Sequence, residues 1–90
     1  MSGNEDLSSH LRDVLRDVLQ LGERAEALAD DTPLLGALPE LDSMAVVTLL
    51  STLEERFAIV IHDDEITAEI FDTFASLRAY VAAKRAETAA

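Results

Sequence analysis

Apolar positions along the chain fall into helical stripes joined by connections that are themselves partly apolar. Leu7, Leu11, Val14, Leu15 and Val18 recur at i, i+4, i+7, i+8 and i+11, the spacing of one face of an amphipathic helix. Arg12, Asp13, Arg16 and Asp17 fill the opposite face. Gly22 weakens or ends this helix, while Ala25 and Leu28 would continue its period, so its end stays open. From Ala29 to Asp42 the pattern changes. Asp30, Asp31, Thr32, Pro33, Gly36 and Pro39 are turn or cap residues, yet Leu34, Leu35, Leu38 and Leu41 remain apolar. A solvated loop has no need of four leucines, so a long connection pinned onto the core is expected. Thr32-Pro33 suits the opening of a short turn within it, since proline is tolerated at a first helical position.

A second helix is expected from Ser43 to about Phe57, because Val46, Leu49, Leu50, Leu53 and Phe57 repeat the same stripe. Asp42 or Ser43 can cap its free N–H groups. Ala58 to Ile61 has strand propensity but no partner strand, which favours an extended linker. Asp63, Asp64 and Glu65 precede a short helical turn over Ile66 to Phe71, and Thr73 caps a last helix with Phe74, Leu77, Tyr80 and Val81 inward. Arg78, Lys84 and Arg85 lie toward its negative end. The expected fold class is all-α: a small four-helix bundle of three main helices and one short helix, with a long loop between the first two. One domain over 7–85 is expected, with a disordered 1–6 and a frayed 86–90.

Composition narrows the function. Eighteen acidic and seven basic residues leave a charge of −11 at pH 7, which repels nucleic acid and anionic lipid, so neither is an expected partner. The chain has no cysteine, hence no disulfide and no thiol nucleophile of its own. Its polar, acidic start lacks the basic and apolar regions of a secretion signal, and no apolar run approaches a membrane span. A cytoplasmic, free-standing monomer is the expectation.

The stretch with chemistry in it is Leu41-Asp42-Ser43-Met44, where a long loop meets a strongly apolar helix. A serine at that point sits among unpaired N–H groups at the positive end of the helix dipole, which favour an attached phosphate. Asp42 beside it can orient an incoming enzyme or metal ion. An Asp-Ser pair before a helix is by itself most often a cap. In its wider setting, however, the sequence resembles the acyl carrier protein family, in which a D-S-L or D-S-M motif opens the second of four helices. Leu53-Glu54-Glu55-Arg56-Phe57 resembles the family's "LEEEF" helix end, and Phe57 through Ile66 its "F-x-I-x-I-P-D-E-E" linker. Thr73-Phe74 with Leu77 and Tyr80-Val81 resembles the "T-V-x-x-L-x-x-Y-V" final helix. The resemblance spans roughly Leu7 to Lys84, and Pro39 through Met44 is similar to stand-alone bacterial carriers.

The resemblance implies that Ser43 is an attachment point and that there is no catalytic residue. A phosphopantetheinyl transferase would move 4'-phosphopantetheine from coenzyme A onto its hydroxyl, and the arm's thiol would carry fatty, polyketide or other acyl groups as thioesters. Acyl-loading and acyl-transferring enzymes are the implied partners. Three positions depart from the family: Glu40 replaces a small residue, His62 replaces the linker proline and loosens that turn, and Thr48 replaces a carboxylate. With the core stripe of the second helix assigned, Met44, Val47 and Ser51 fall on its far face beside Glu54 and Glu55. Met44, Val47, Glu54 and Glu55 are therefore the expected partner-binding residues.

Other chemistries fit less well. Ser43 has no G-x-S-x-G elbow, and only His10 and His62 are available as a base. Asp63-Asp64-Glu65 lacks the spacing and glycine of a calcium loop, so no metal site is expected. The remaining alternative is a small acidic helical interaction module without a prosthetic group.

Overall fold

The computed structural model describes residues 3–89, and side-chain surroundings for residues 6–87. Three helices, α1 (Gly3–Leu19), α2 (Ser43–Phe57) and α3 (Phe74–Ala89), enclose one core; 3-10 turns at Gly22–Ala27, Asp63–Glu65 and Ala68–Phe71 punctuate the connections. This is the expected all-α arrangement, with Ala68–Phe71 as the short fourth helix. No strand forms among the described residues, where pairing of that kind is limited to a single bridge between Pro33 and Thr73.

The α1 stripe does what its period requires: Leu7, Leu11, Val14 and Leu15 are all buried. Of the expected 1–6 tail, residues 3–6 form the first turn of α1, and Met1 and Ser2 lie outside the described residues. At the other end 86–89 lie within α3, and Ala90 lies outside the described residues. The open boundary at the end of α1 resolves into a break. Gln20 takes a left-handed backbone with φ 54° and Gly22 another with φ 58°, after which Gly22–Ala27 winds as a 3-10 turn. Ala25 and Leu28 are buried through that turn and not by continuation of α1.

The long connection is held down by its backbone as well as by its leucines. Leu34 N–H donates to Asp72 O at 3.2 Å and Leu35 N–H to Phe71 O at 2.9 Å. In return Thr32 O and Asp30 O accept from Phe74 and Ala75 N–H, both at 2.9 Å. These carbonyls satisfy two of the orphan donors at the start of α3. Thr73 supplies the expected cap: its Oγ1 accepts from Ser76 N–H at 3.1 Å, while Ser76 Oγ accepts from Thr73 N–H at 3.0 Å. Leu34 and Leu41 are buried and Leu38 is half-buried, but Leu35 is 44% exposed, so three of the four leucines pin the loop. Leu34 and Leu35 are chain neighbours, and committing one to the core turns the other outward.

Asp30 adds a further fastening. It accepts two hydrogen bonds from Arg78, at 2.6 and 3.1 Å, and Arg78 and Arg12 lie over the buried Phe74 ring at 5.9 and 5.1 Å. The Arg78 guanidinium holds the Asp30 carboxyl below its usual range.

On α2, only Leu49 and Leu53 are fully buried, whereas Val46, Leu50 and Phe57 are half-buried. All five of the expected stripe face inward: Leu49 and Leu53 lie in the core, and Val46, Leu50 and Phe57 pack against its edge. The helix ends on Ala58, whose left-handed φ of 53° reverses the chain and buries Ile59. Residues 59–62 then carry no regular secondary structure, with His62 extended, so of the expected extended linker Ala58–Ile61 the first residue is left-handed instead.

Candidate functional site

Ser43 is the first residue of α2, and its side chain is exposed. Two local features fix it there. Leu41, two residues earlier, is buried and anchors the incoming chain, with its N–H on Leu38 O at 3.0 Å. Asp42 is the N-cap: its backbone is extended, its Oδ1 accepts from Ala45 N–H at 2.8 Å, and its carbonyl accepts from Val46 N–H at 2.9 Å. Of the two capping residues the sequence allowed, Asp42 takes the role, which leaves the Ser43 hydroxyl uncommitted. Neither that hydroxyl nor the N–H groups of Ser43 and Met44 hydrogen-bond another described residue. Unpaired donors at the positive end of a helix next to a free hydroxyl are the chemistry a phosphate ester requires.

Other serines are placed differently. Ser8 is buried and accepts from Arg78, and Ser76 is occupied in capping and donates to Ile70 O at 2.9 Å. Glu40, three residues before Ser43, is paired with Arg24 of the Gly22–Ala27 turn. Each supports the other's charge, and Arg24 holds the Glu40 carboxyl below its usual range. The pair ties that turn to the chain just ahead of α2.

Beyond Ser43 the outer face of α2 carries Met44, 74% exposed, and Val47, 59% exposed. Ser51 and Glu55 are exposed on this side too. Glu54, expected among the partner-binding residues, is half-buried, and its Oε2 accepts from Ile61 N–H at 3.0 Å. Between α2 and the segment leading to α3 lies a mainly apolar groove of about 410 Å3, lined by Val46, Val47, Leu50, Ser51, Glu54, Ile61, Asp63 and Ile66. Two of the five residues of the expected core stripe, Val46 and Leu50, thus face a cavity open to solvent.

Glu65 forms a second cluster, which the sequence did not disclose. It accepts from Tyr80 Oη at 2.8 Å, Lys84 Nζ at 3.0 Å and His62 N–H at 3.2 Å. Lys84 is only 6% exposed and also reaches Glu87 at 3.5 Å. Lys84, then the Tyr80 hydroxyl, hold the Glu65 carboxyl down to about 2. Burial first, then the hydrogen bond to Glu65, push the Tyr80 hydroxyl well above the usual phenol range. The expected loosening at His62 is corrected as well, since a proline would lack the N–H that His62 gives to Glu65. Only the i, i+4 spacing of Tyr80 and Lys84 on one helix face hinted at this cluster.

No hydrolytic dyad forms between Ser43 and His10. His10 is against Phe57, ring centroids 6.4 Å apart, and Phe57 is at the far end of α2, about 20 Å from Ser43 by helical rise. Among the described residues no group of three or more potential metal ligands comes together.

Comparison with known proteins agrees with this geometry. The phosphopantetheine attachment site family matches residues 9–83. No curated protein matches. Among solved structures, the solution structure of a holo acyl carrier protein from Nitrosomonas europaea superposes with a TM-score of 0.81 at 48% identity, covering 89% of this chain and 95% of that one. A free serine hydroxyl at the head of the second helix, within a fold and sequence matched over most of their length, places the chain in the phosphopantetheine attachment family as an acyl carrier protein, a carrier and not a catalyst.

Proposed function

We propose that Ser43 is the residue that takes the arm. The observation that carries this reading is its uncommitted hydroxyl on the first residue of α2, with the cap supplied by its neighbour Asp42. The N–H groups of Ser43 and Met44 would meet the phosphodiester, and the exposed second oxygen of Asp42 would assist delivery of the arm by a phosphopantetheinyl transferase. When bound, 4'-phosphopantetheine supplies the thiol that a cysteine-free chain lacks, so that acyl groups are held as thioesters. The domain proper is 7–85, acting as a monomer in the cytoplasm. Among the described residues no helix is long and apolar enough to cross a membrane.

Acyl carriers work through partner enzymes. The surface offered to the transferase and to acyl-loading and acyl-transferring enzymes is Met44 and Val47, rimmed by Glu54 and Glu55. Exposed apolar residues on a soluble domain are ordinary in isolation. Beside Ser43 they suit brief docking to a basic patch, where charge speeds encounter and methionine packs adaptably.

The test is intact mass after incubation with coenzyme A and a promiscuous transferase. Wild type gains one phosphopantetheinyl group; Ser43→Ala gains none and keeps its helical circular dichroism. Modification persisting in Ser43→Ala, at the exposed Ser51 for example, would overturn the assignment. No gain in a folded wild type would favour an interaction module without an arm.

A further inference from the structure

A chain that carries thioesters lives beside its own nucleophiles. Of its seven basic residues six are arginines, Lys84 is the sole lysine, and cysteine is absent. A guanidinium keeps its proton and offers no lone pair, whereas an amine that loses its proton attacks acyl carbon readily. The exposed basic residues are Arg24, Arg56 and Arg85, none of which can take an acyl group in this way. The one that could is the one that is buried, since Lys84 is only 6% exposed. A structural ion pair accounts for the burial of Lys84, but not for the absence of lysine from every exposed basic position.

The Lys84 nitrogen is occupied as well as buried. Nζ donates to Glu65 at 3.0 Å and to Glu87 at 3.5 Å. Glu65 first, with Glu87 in support, holds the ammonium above the ordinary lysine range and so keeps its proton in place. The same Glu65 carboxylate accepts from Tyr80 Oη at 2.8 Å, and Tyr80 is the chain's only phenol. One carboxylate therefore holds the protons of both the sole side-chain amine and the sole phenol. An ordinary lysine at pH 8 is neutral in about one molecule in 250. Lys84 has in addition to leave two carboxylates and its packing before a lone pair meets an acyl carbon.

We infer that Lys84 is a latent acylation site, masked by Glu65 from acyl thioesters. This rests on the carrier reading, because a chain that holds no thioesters has nothing to be masked from. Once released, Lys84 gives its extra proton to water, and the neutral Nζ attacks the carbonyl carbon of a thioester. The C–N bond forms, the C–S bond breaks, and the sulfur leaves as a thiol with a proton shed by the nitrogen. The product is an uncharged amide, which neither returns the acyl group to a partner enzyme nor pairs with Glu65. Masking thus protects both the cargo and the Glu65–Tyr80–Lys84 cluster.

Acylation in solution tests this on the full chain before any arm is attached. The protein is incubated with octanoyl-coenzyme A at pH 8, hydroxylamine strips labile esters, and intact mass with peptide mapping places the amides that remain. Arg85→Lys puts an exposed amine next to Lys84 and sets the reference rate. Within that folded variant, Lys84 should react at least about tenfold more slowly than the introduced amine, and the two should converge once urea unfolds the chain. Glu65→Gln should speed the reaction of Lys84 about tenfold over wild type. Leu19→Ala, destabilised at a buried position of α1 with Glu65 intact, should not. Equal rates at the native and introduced amines of folded Arg85→Lys overturn the masking, and that comparison needs no destabilised variant. An unchanged rate in folded Glu65→Gln, or an equal rise in Leu19→Ala, overturns Glu65 as its cause. A folded wild type that accepts no arm from coenzyme A and a transferase would sink the carrier reading alone, because the Lys84 rates are measured without it.

Discussion

Asp42 combines a structural duty with a proposed functional one, and two substitutions separate them. Asp42→Ala deletes the acceptor for Ala45 N–H, a bond of 2.8 Å at the start of α2. That donor is exposed and water can replace the carboxylate, so the cost is that of an N-cap, about 1 kcal/mol. An unfolding entropy near 2.1 cal/mol/K per residue gives about 0.19 kcal/mol/K over 90 residues, so the melting midpoint should fall by about 5 °C. Asp42→Asn keeps an oxygen for the cap and loses only charge, and its midpoint should drop by no more than about 1 or 2 °C. Loading by the transferase should order the variants differently. If the second oxygen meets the enzyme as an anion, both variants lose a charged hydrogen bond, and arm transfer slows by roughly ten- to a hundredfold in each. Thermal circular dichroism and timed intact-mass measurements on the three proteins provide both readouts. An unchanged midpoint in Asp42→Ala would refute the capping geometry. Wild-type loading by Asp42→Asn would show that Asp42 acts as a cap and nothing more.

Two further outcomes follow from the packing. Glu65 has its carboxyl lowered from 4.5 to about 2, so its contribution to stability is present above pH 4.5 and disappears as pH falls toward 2. Glu65→Gln should lower the urea midpoint at pH 7, with the gap to wild type closing below pH 4.5; a gap that persists at pH 2 would mean that the charge is not its source. Val47→Asp, at a residue 59% exposed, should shift stability by no more than about 0.5 kcal/mol while slowing loading by the native transferase. Leu53→Ala, at a residue with no exposure on the same helix, should cost about 2–5 kcal/mol, or roughly 10–25 °C. Comparable unfolding by the two substitutions would reverse the assignment of the α2 faces.

Much of the fold was legible because helical amphipathicity is a local property. The spacing of Leu49 and Leu53, the Asp42-Ser43 start and the drop in periodicity after Phe57 were enough to bound α2 at Ser43–Phe57. Thr73 marked the start of α3 for the same reason, since its cap involves only the next turn. The placement of Ser43 and the outward turn of Met44 and Val47 follow from that register alone. What the sequence could not decide is what lies opposite each face. A period puts Val46 and Leu50 on the inner side of α2, but only the path of residues 59–66 makes their neighbour a groove instead of a packed helix. It marks Glu54 as polar and near the surface, and only the return of the chain at Ile61 gives its carboxylate an N–H to hold. The pairings of Arg24 with Glu40 and of Glu65 with Tyr80 and Lys84 cross between elements 15 to 19 residues apart. Their partners are set by how the helices and turns stack, a tertiary outcome with no signature in local spacing. The serine and its helix are written in neighbouring residues, whereas the groove and its fastenings exist only once distant segments meet.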